Sequence, residues 1–96
     1  MRLVRHNIDG VWFGDFEVSE DGNWLVAPVA RRLRRWYGPS DLSGVAAGAT
    51  LKEGSYTTPP VEDVRLPIAS GMGGNLKCSP NGEANLRALK IRDMPL

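Results

Sequence analysis

The sequence predicts an α+β fold, in which a small, mostly antiparallel β-sheet (an N-terminal hairpin plus two later strands) carries two short helices. Three observations predict it. Alternating apolar segments flank an Asp-Gly pair at residues 21–22, two later segments begin with helix-capping residues, and 96 residues suffice for one hydrophobic core only. We therefore expect a single domain covering residues 1–96.

Two strands are predicted before the hairpin turn. Residues 2–8 are moderately apolar and partly alternating, and Asp9-Gly10 after them is a turn signal. Residues 11–20 then alternate with period two, which is typical of a strand with one buried face. The residues of one face are Trp12, Gly14, Phe16 and Val18, and those of the other are Asp15, Glu17 and Ser19.

The hairpin turn itself is predicted at Asp21-Gly22. This dipeptide favours the positive φ angles that a type I′ turn requires, and residues 23–35 form the return strand. Pro28 lies inside that strand and has no N–H to donate to a neighbour. We therefore expect either an edge position or a β-bulge at Pro28.

The second half of the chain predicts two helices between strands. Ser40 or Asp41 caps a helix over residues 42–49, and Ser79-Pro80 opens a second helix, because serine caps well and proline fits the first helical position. Further strands are predicted at 61–68 and 90–94, a loop at 51–60 and a flexible connection at 70–75.

Composition excludes several classes of site. One cysteine, Cys78, excludes a disulfide framework or a thiolate zinc site within one chain, and one histidine, His6, excludes a multi-histidine metal centre. We expect no cofactor, no metal and, since no catalytic constellation is recognisable, no enzymatic activity. Cys78 precedes a helix start, so it is either a thiol of lowered pKa or a small, partly buried filler.

The charge of the chain is unevenly distributed. The formal net charge is only +1, which argues against a long nucleic acid as partner, yet residues 31–35 hold four of the twelve basic residues. Arginine binds phosphate through two hydrogen bonds, and the aromatic residues that follow can stack on a base. The candidate ligand-binding residues are Arg31, Arg32, Arg34, Arg35, Trp36, Tyr37 and Trp12.

Alternatives remain open for these residues. On a strand, Arg32, Arg34 and Trp36 would share one face and could line a ligand site. The arginines could instead form ion pairs with the acidic hairpin, Glu17 included, with Trp36 in the core. The glycine-rich segment 71–74 could cradle phosphate with its backbone amides or be a simple connection.

Several elements follow one another in a recognisable order. They are Val4-Arg5, Gly10–Gly14, Ala30-Arg31-Arg32 with Trp36 and Gly38, Leu42-Ser43 with Ala46 and Gly48, Val61, Leu66-Pro67-Ile68, and Lys77-Cys78-Ser79. This order of motifs resembles that of a family of small tailed-phage proteins, which is classed as a domain of unknown function. The extra arginines, Arg34 and Arg35, and the glycine-rich stretch at 71–74 depart from the pattern, because family members carry an aliphatic-Trp-Tyr-Trp run after the arginine pair and an aliphatic strand at the later position.

The resemblance implies a phage accessory protein in the cytoplasm of the infected bacterial host. By analogy, small phage proteins of this class sequester nucleotide messengers of anti-phage immunity. We therefore expect a homo-oligomer that binds a cyclic ADP-ribose type ligand or a cyclic dinucleotide without catalysis, away from membranes. The alternatives are a single-stranded nucleic-acid binding protein and an interaction module that inhibits a host enzyme.

Overall fold

A mixed, mostly antiparallel sheet of eight strands and two short helices form the part of the chain that the computed structural model describes, residues 1–92. The strands are β1 (Arg2–His6), β2 (Gly10–Gly14), β3 (Glu17–Val18), β4 (Trp24–Arg35), β5 (Tyr56–Thr57), β6 (Val61–Pro67), β7 (Met72–Lys77) and β8 (Lys90–Ile91). The helices are α1 (Leu42–Ala47) and α2 (Pro80–Arg87).

The twelve-residue strand β4 organises the sheet. The strand order is β7-β1-β2-β4-β5-β8, and β3 and β6 also pair with β4. Every pairing is antiparallel except that of β5 with β8. The predicted α+β class is therefore confirmed in outline, but the prediction of two later strands is too low, because β5, β6, β7 and β8 all follow the hairpin.

Pro28 lies at a bulge in this central strand. Between Ala30 and Val26, β4 advances four residues, whereas the facing chain advances only three from Gly14 to Glu17. The extra residue of a bulge is left unpaired, so Pro28, which has no N–H, does not have to donate a ladder hydrogen bond. The predicted bulge is thus confirmed, and the alternative of an edge strand is wrong.

The hairpin lies near the predicted Asp-Gly pair, but its turn is shifted by one residue and is not of type I′. The Gly22 N–H donates to the Ser19 carbonyl over 2.9 Å, so Glu20 and Asp21 are the central residues. Gly22 has a φ of 75°, whereas Asp21 is outside the positive-φ region that a type I′ turn needs at both positions. The Asp21 carboxylate instead accepts hydrogen bonds from the Ser19 hydroxyl (2.6 Å) and the Asn23 N–H (3.0 Å), and these bonds lower its pKa. These side-chain bonds accompany the shifted turn.

Two segments that the sequence predicts as irregular are strands. The connection predicted over residues 70–75 contains most of β7, which pairs with β1, and the loop predicted over 51–60 contains β5. Glycine weakens intrinsic strand preference, so pairing with β1 decides the conformation of β7. The predicted last strand is confirmed as β8, while Asp93 and Met94 lie outside the described residues.

Both helices begin at the predicted caps. The Asp41 carboxylate accepts a hydrogen bond from the Gly44 N–H, and the Ser79 hydroxyl accepts one from the Gly82 N–H. Helix α1 ends at Gly48, whose φ of 100° favours glycine. Neither of these helices is long and apolar enough to cross a membrane.

Two hydrophobic cores lie on opposite faces of the sheet, so the expectation of only one core is wrong. The helix-side core joins β1, β2 and β4 to the helices through Leu3, Val11, Phe13, Leu33, Val45, Ala46, Cys78 and Leu86. The strand-side core comprises Val4, Phe16, Leu25, Ala27, Ala30, Val64 and Leu66. Trp12 and Phe16 both face the strand side, as the alternation predicts, but Phe13 is equally buried on the other face.

Candidate ligand-binding cleft

Strand β4 divides the arginine cluster between the two faces of the sheet. Arg31 pairs with Phe13, and its guanidinium lies 5.2 Å from the centre of that ring on the helix side. Arg32 pairs with Trp12, which packs against the strand-side core. Because successive strand residues point to opposite faces, these two arginines cannot grip one ligand together.

Arg31 is engaged by the fold. Its guanidinium donates hydrogen bonds to Thr57 Oγ1 (2.6 and 3.0 Å), to the Leu89 carbonyl (3.1 Å) and to the Arg87 carbonyl (3.3 Å). Burial lowers the pKa of Arg31, and the nearby positive charge of Arg87 adds to this effect. Most of its donors are therefore satisfied without a ligand.

On the strand side, Trp12 is engaged through a hydrogen bond, whereas Arg32 packs against the chain with no side-chain hydrogen bond among residues 1–92. The Trp12 Nε1 donates to the Asp9 carbonyl over 2.8 Å. The Arg32 side chain lies across Gly10, so closely that a Cβ on Gly10 would come 2.5 Å from Arg32 Nε. Burial lowers the pKa of Arg32, followed by the positive charge of Arg34. On this face, Trp12 and Arg32 therefore both contact neighbouring residues of the same chain.

The interpretation that the arginines pair with the acidic hairpin is not supported. Within residues 1–92, the ion pairs involve no member of the segment 31–35. The contacts of Arg31 are with uncharged oxygens instead, and Arg35 donates to the Tyr37 hydroxyl over 3.3 Å. Strand β4 therefore spreads the arginines over the surface, and no acidic side chain among residues 1–92 forms an ion pair with them.

The prediction that Trp36 shares a face with Arg32 and Arg34 is wrong. Strand β4 ends at Arg35, after an irregularity in its pairing with β5, and Trp36 packs against the helix-side core. The next residue, Tyr37, is 44% exposed and its N–H donates to Ser55 Oγ. The predicted site residues therefore do not form one site.

Trp36 lines a cleft of about 340 Å³ between the sheet and the start of α1. Neighbouring residues of β1 and β7 form its floor, and the segment from Trp36 to α1 forms its wall. The lining residues are Leu3, Arg5, Gly73, Gly74 and Leu76 on the floor, and Trp36, Ser40, Asp41, Leu42 and Ser43 on the wall.

The floor of the cleft depends on a glycine opposite an arginine. Gly74 is the cross-strand partner of Arg5, and a Cβ on Gly74 would come within 3.9 Å of the Arg5 Cβ. The absence of a side chain at Gly74 leaves space beside Arg5 on the helix side of the sheet. The glycine-rich segment that the sequence offers as a phosphate cradle is thus part of the cleft, as a strand rather than a loop.

The cleft combines a cation, an aromatic ring and hydroxyl groups. The exposed Arg5 guanidinium makes no hydrogen bond and no ion pair with any of residues 1–92. Trp36 is partly buried, and Ser40 and Ser43 are exposed at the rim. Asp41 brings one carboxylate, of which Oδ1 caps α1. Arg5 was missed as a site residue, because only the pairing of β1 with β7 reveals what lies beside it.

His6 and Cys78 have structural roles. His6 is 2% exposed, its Nε2 donates to the Ser70 carbonyl (2.8 Å) and its Nδ1 accepts from the Asp9 N–H (3.2 Å). These contacts fasten the turn after β1 to the segment before β7. Cys78 is buried, and burial raises the pKa of its thiol, so the alternative of a lowered pKa is wrong.

Comparison of the chain with protein-family models, curated proteins and solved structures found no match. The function is therefore inferred from the chemistry of the cleft.

Proposed function

We propose that this protein binds a small phosphorylated nucleotide in the cleft between Trp36, Arg5 and Gly74 and holds it without chemical conversion. The observation that carries the proposal is that the Arg5 guanidinium, which has no partner among residues 1–92, and a tryptophan ring line the same cavity. A cation for phosphate and a flat ring for a base are the two groups that a nucleotide needs.

Arg5 supplies the phosphate contact. Its guanidinium offers a planar fork of donors, which matches two phosphate oxygens. The chain occupies most of the donors of Arg31 and the space around Arg32, whereas Arg5 lines the cleft beside Gly74 with its donors unbonded among the described residues. The proposed phosphate contact therefore lies outside the arginine cluster, because Arg5 is the arginine that lines this cleft.

Trp36 supplies the stacking surface. Its ring is held against the helix-side core, so its orientation is fixed before a ligand arrives. A pre-ordered ring loses little conformational entropy on binding. The hydroxyl groups of Ser40 and Ser43 at the rim suit the hydroxyls of a ribose.

The volume of the cleft limits the ligand. Pockets for small ligands measure about 300–1,000 Å³, and a volume of about 340 Å³ is close to the lower limit. One nucleotide unit fits such a space, whereas a long strand would need an extended basic groove. The resemblance to tailed-phage proteins makes cyclic ADP-ribose isomers and cyclic dinucleotides of anti-phage immunity, met in the host cytoplasm, the first ligands to test.

Isothermal titration calorimetry with these nucleotides tests the proposal. Substitution Arg5→Ala is expected to weaken binding about 10- to 100-fold, since a hydrogen bond to a charged group contributes about 1.5–3 kcal/mol. The matched control is Arg34→Ala, which removes a partly exposed arginine from the other face of the sheet and should leave the affinity unchanged.

Two results would contradict the proposal. One is the absence of binding by any nucleotide of the panel. The other is an equal loss of affinity in Arg5→Ala and Arg34→Ala, combined with a steep decrease of oligonucleotide binding as salt increases, which is the behaviour of a single-stranded nucleic-acid binding protein.

A further inference from the structure

We infer that β7 is the surface at which two copies of this chain associate, edge to edge, into a dimer with one continuous sheet. Strand β7 ends the strand order, and its outer edge has no partner among residues 1–92. An open edge presents unpaired backbone N–H and carbonyl groups, which form a template for another strand.

The outer edge of β7 carries few of the features that normally prevent such pairing, namely Lys77 at its end and an irregularity near Gly73 in its pairing with β1. Residues 72–76 read Met-Gly-Gly-Asn-Leu and carry no charge. Strand β6, the other long strand with a free edge among residues 1–92, is protected by charged residues, a proline and an irregular backbone. It carries Glu62, Arg65 and Pro67, and its Asp63 has a φ of 53°, which breaks the regular strand. Of the two edges, β7 is the one open to a partner.

The same edge is complementary to itself. A twofold axis perpendicular to the sheet at Asn75 would pair β7 with β7 of a second copy in antiparallel orientation. Leu76 then lies beside Gly74 of the second copy, and Lys77 beside its Gly73. The two lysines are about 14 Å apart, four residues at about 3.4 Å each, which exceeds the screening length at physiological salt. No like charges meet across this pairing.

An unfilled apolar groove accompanies the edge on the helix side. It has a volume of about 380 Å³ and is lined by Ala46, Ala47, Leu76 and Pro80 among others. Leu76 and Ser43 line both this groove and the nucleotide cleft, so the two are continuous. A second copy on β7 would cover apolar surface that the monomer leaves exposed.

The dimer would also change which ligand the cleft can hold. This part of the inference rests on the proposed function. Because the twofold axis is perpendicular to the sheet, both clefts open on the same side, and the Leu76 of each copy stands beside the Gly74 floor of the other. Two Arg5 guanidinium groups and two Trp36 rings then flank the axis. This arrangement suits a ligand with two phosphates and two bases related by twofold symmetry, the chemistry of a cyclic dinucleotide.

Sedimentation of the full chain tests the interface. The native protein is expected at twice the chain mass of 10.5 kDa. Asn75→Lys and Asn75→Asp should each sediment as monomers, because two like charges would then face each other at the axis, and an equimolar mixture of the two variants should recover the dimer. The matched control is Val61→Lys on the edge of β6, which should remain a dimer.

The inference is overturned by a monomeric native protein, or by dissociation in Val61→Lys but not in the Asn75 variants. Failure of the dimer inference can be distinguished experimentally from failure of the proposed function. A monomer that binds nucleotide one to one overturns the dimer only, whereas a dimer sensitive to Asn75→Lys that binds no nucleotide supports the interface and overturns the proposed function. With both correct, one cyclic dinucleotide binds per two chains.

Discussion

At the scale of single residues, the guanidinium of Arg31 connects three parts of the chain that are distant in sequence. It reaches Thr57 on β5 and the carbonyls of Arg87 and Leu89 at the end of α2. The last carbonyls of a helix have no partner within the helix, and a cation there is also favoured by the helix dipole. Arg31 thus stabilises the end of α2 against the sheet.

Substitution Arg31→Ala should therefore lower the free energy of unfolding by about 2 kcal/mol, since hydrogen bonds from a charged donor are lost and the acceptors stay behind. Urea denaturation measures the change. The control Arg34→Ala should alter stability by less than about 0.5 kcal/mol, as is usual for a residue without such bonds. Equal effects of the two substitutions would argue that the Arg31 contacts contribute nothing.

At the scale of secondary-structure elements, the two helices depend on each other. Helices of six and eight residues are too short to be stable alone. They meet where the Ser79 N–H donates to the Ala46 carbonyl (2.9 Å), and Gly82 packs directly on this same carbonyl. Any side chain at Gly82 would collide with the backbone of α1.

Gly82→Ala should consequently destabilise the protein, although alanine usually stabilises a helix interior by about 1 kcal/mol relative to glycine. We expect a net loss of about 1–3 kcal/mol, because the backbone of α1 must move away. Thermal unfolding monitored by circular dichroism gives the sign. For comparison, Ala84→Gly on the exposed side of α2 should lose only the intrinsic preference of about 1 kcal/mol. A more stable Gly82→Ala protein would refute the close contact.

The elements that the sequence predicts correctly are those with local signals. Asp41 and Ser79 cap their helices through bonds to residues three positions later, and the bulge at Pro28 follows from its missing N–H. Strand β7 could not be predicted in this way, because its glycines favour no strand and only β1 makes it one. The same reason hides Arg5, whose place in the cleft depends on Gly74 across the sheet.

For the arginine cluster, the period-two alternation of a strand predicts the faces of Arg31 and Arg32 but not that of Trp36. It separates Arg31 from Arg32 correctly, since both lie within the regular part of β4. It fails for Trp36, which follows the irregular pairing between Leu33 and Arg35 and the end of the strand. A period-two argument is valid only while the ladder is regular.

At the scale of the whole molecule, the two hydrophobic cores share the same strands. In β1, Leu3 enters the helix-side core and the next residue, Val4, enters the strand-side core. Strand β4 contributes to both cores as well, through Leu33 and Ala30. Loss of either core would remove the packing that holds these strands, so the cores cannot unfold independently.

Leu86→Ala and Leu66→Ala test this coupling, because each removes a fully buried side chain from one core. Each should lower the free energy of unfolding by about 2–5 kcal/mol, a large share of the roughly 5–15 kcal/mol typical of a domain. Far-UV circular dichroism and tryptophan fluorescence should still report one coincident urea transition with an unchanged slope. If Leu86→Ala lost its helical signal at a lower urea concentration than its fluorescence signal, the cores would be independent. Coincident transitions in both variants would show that the sheet transmits the loss from one face to the other.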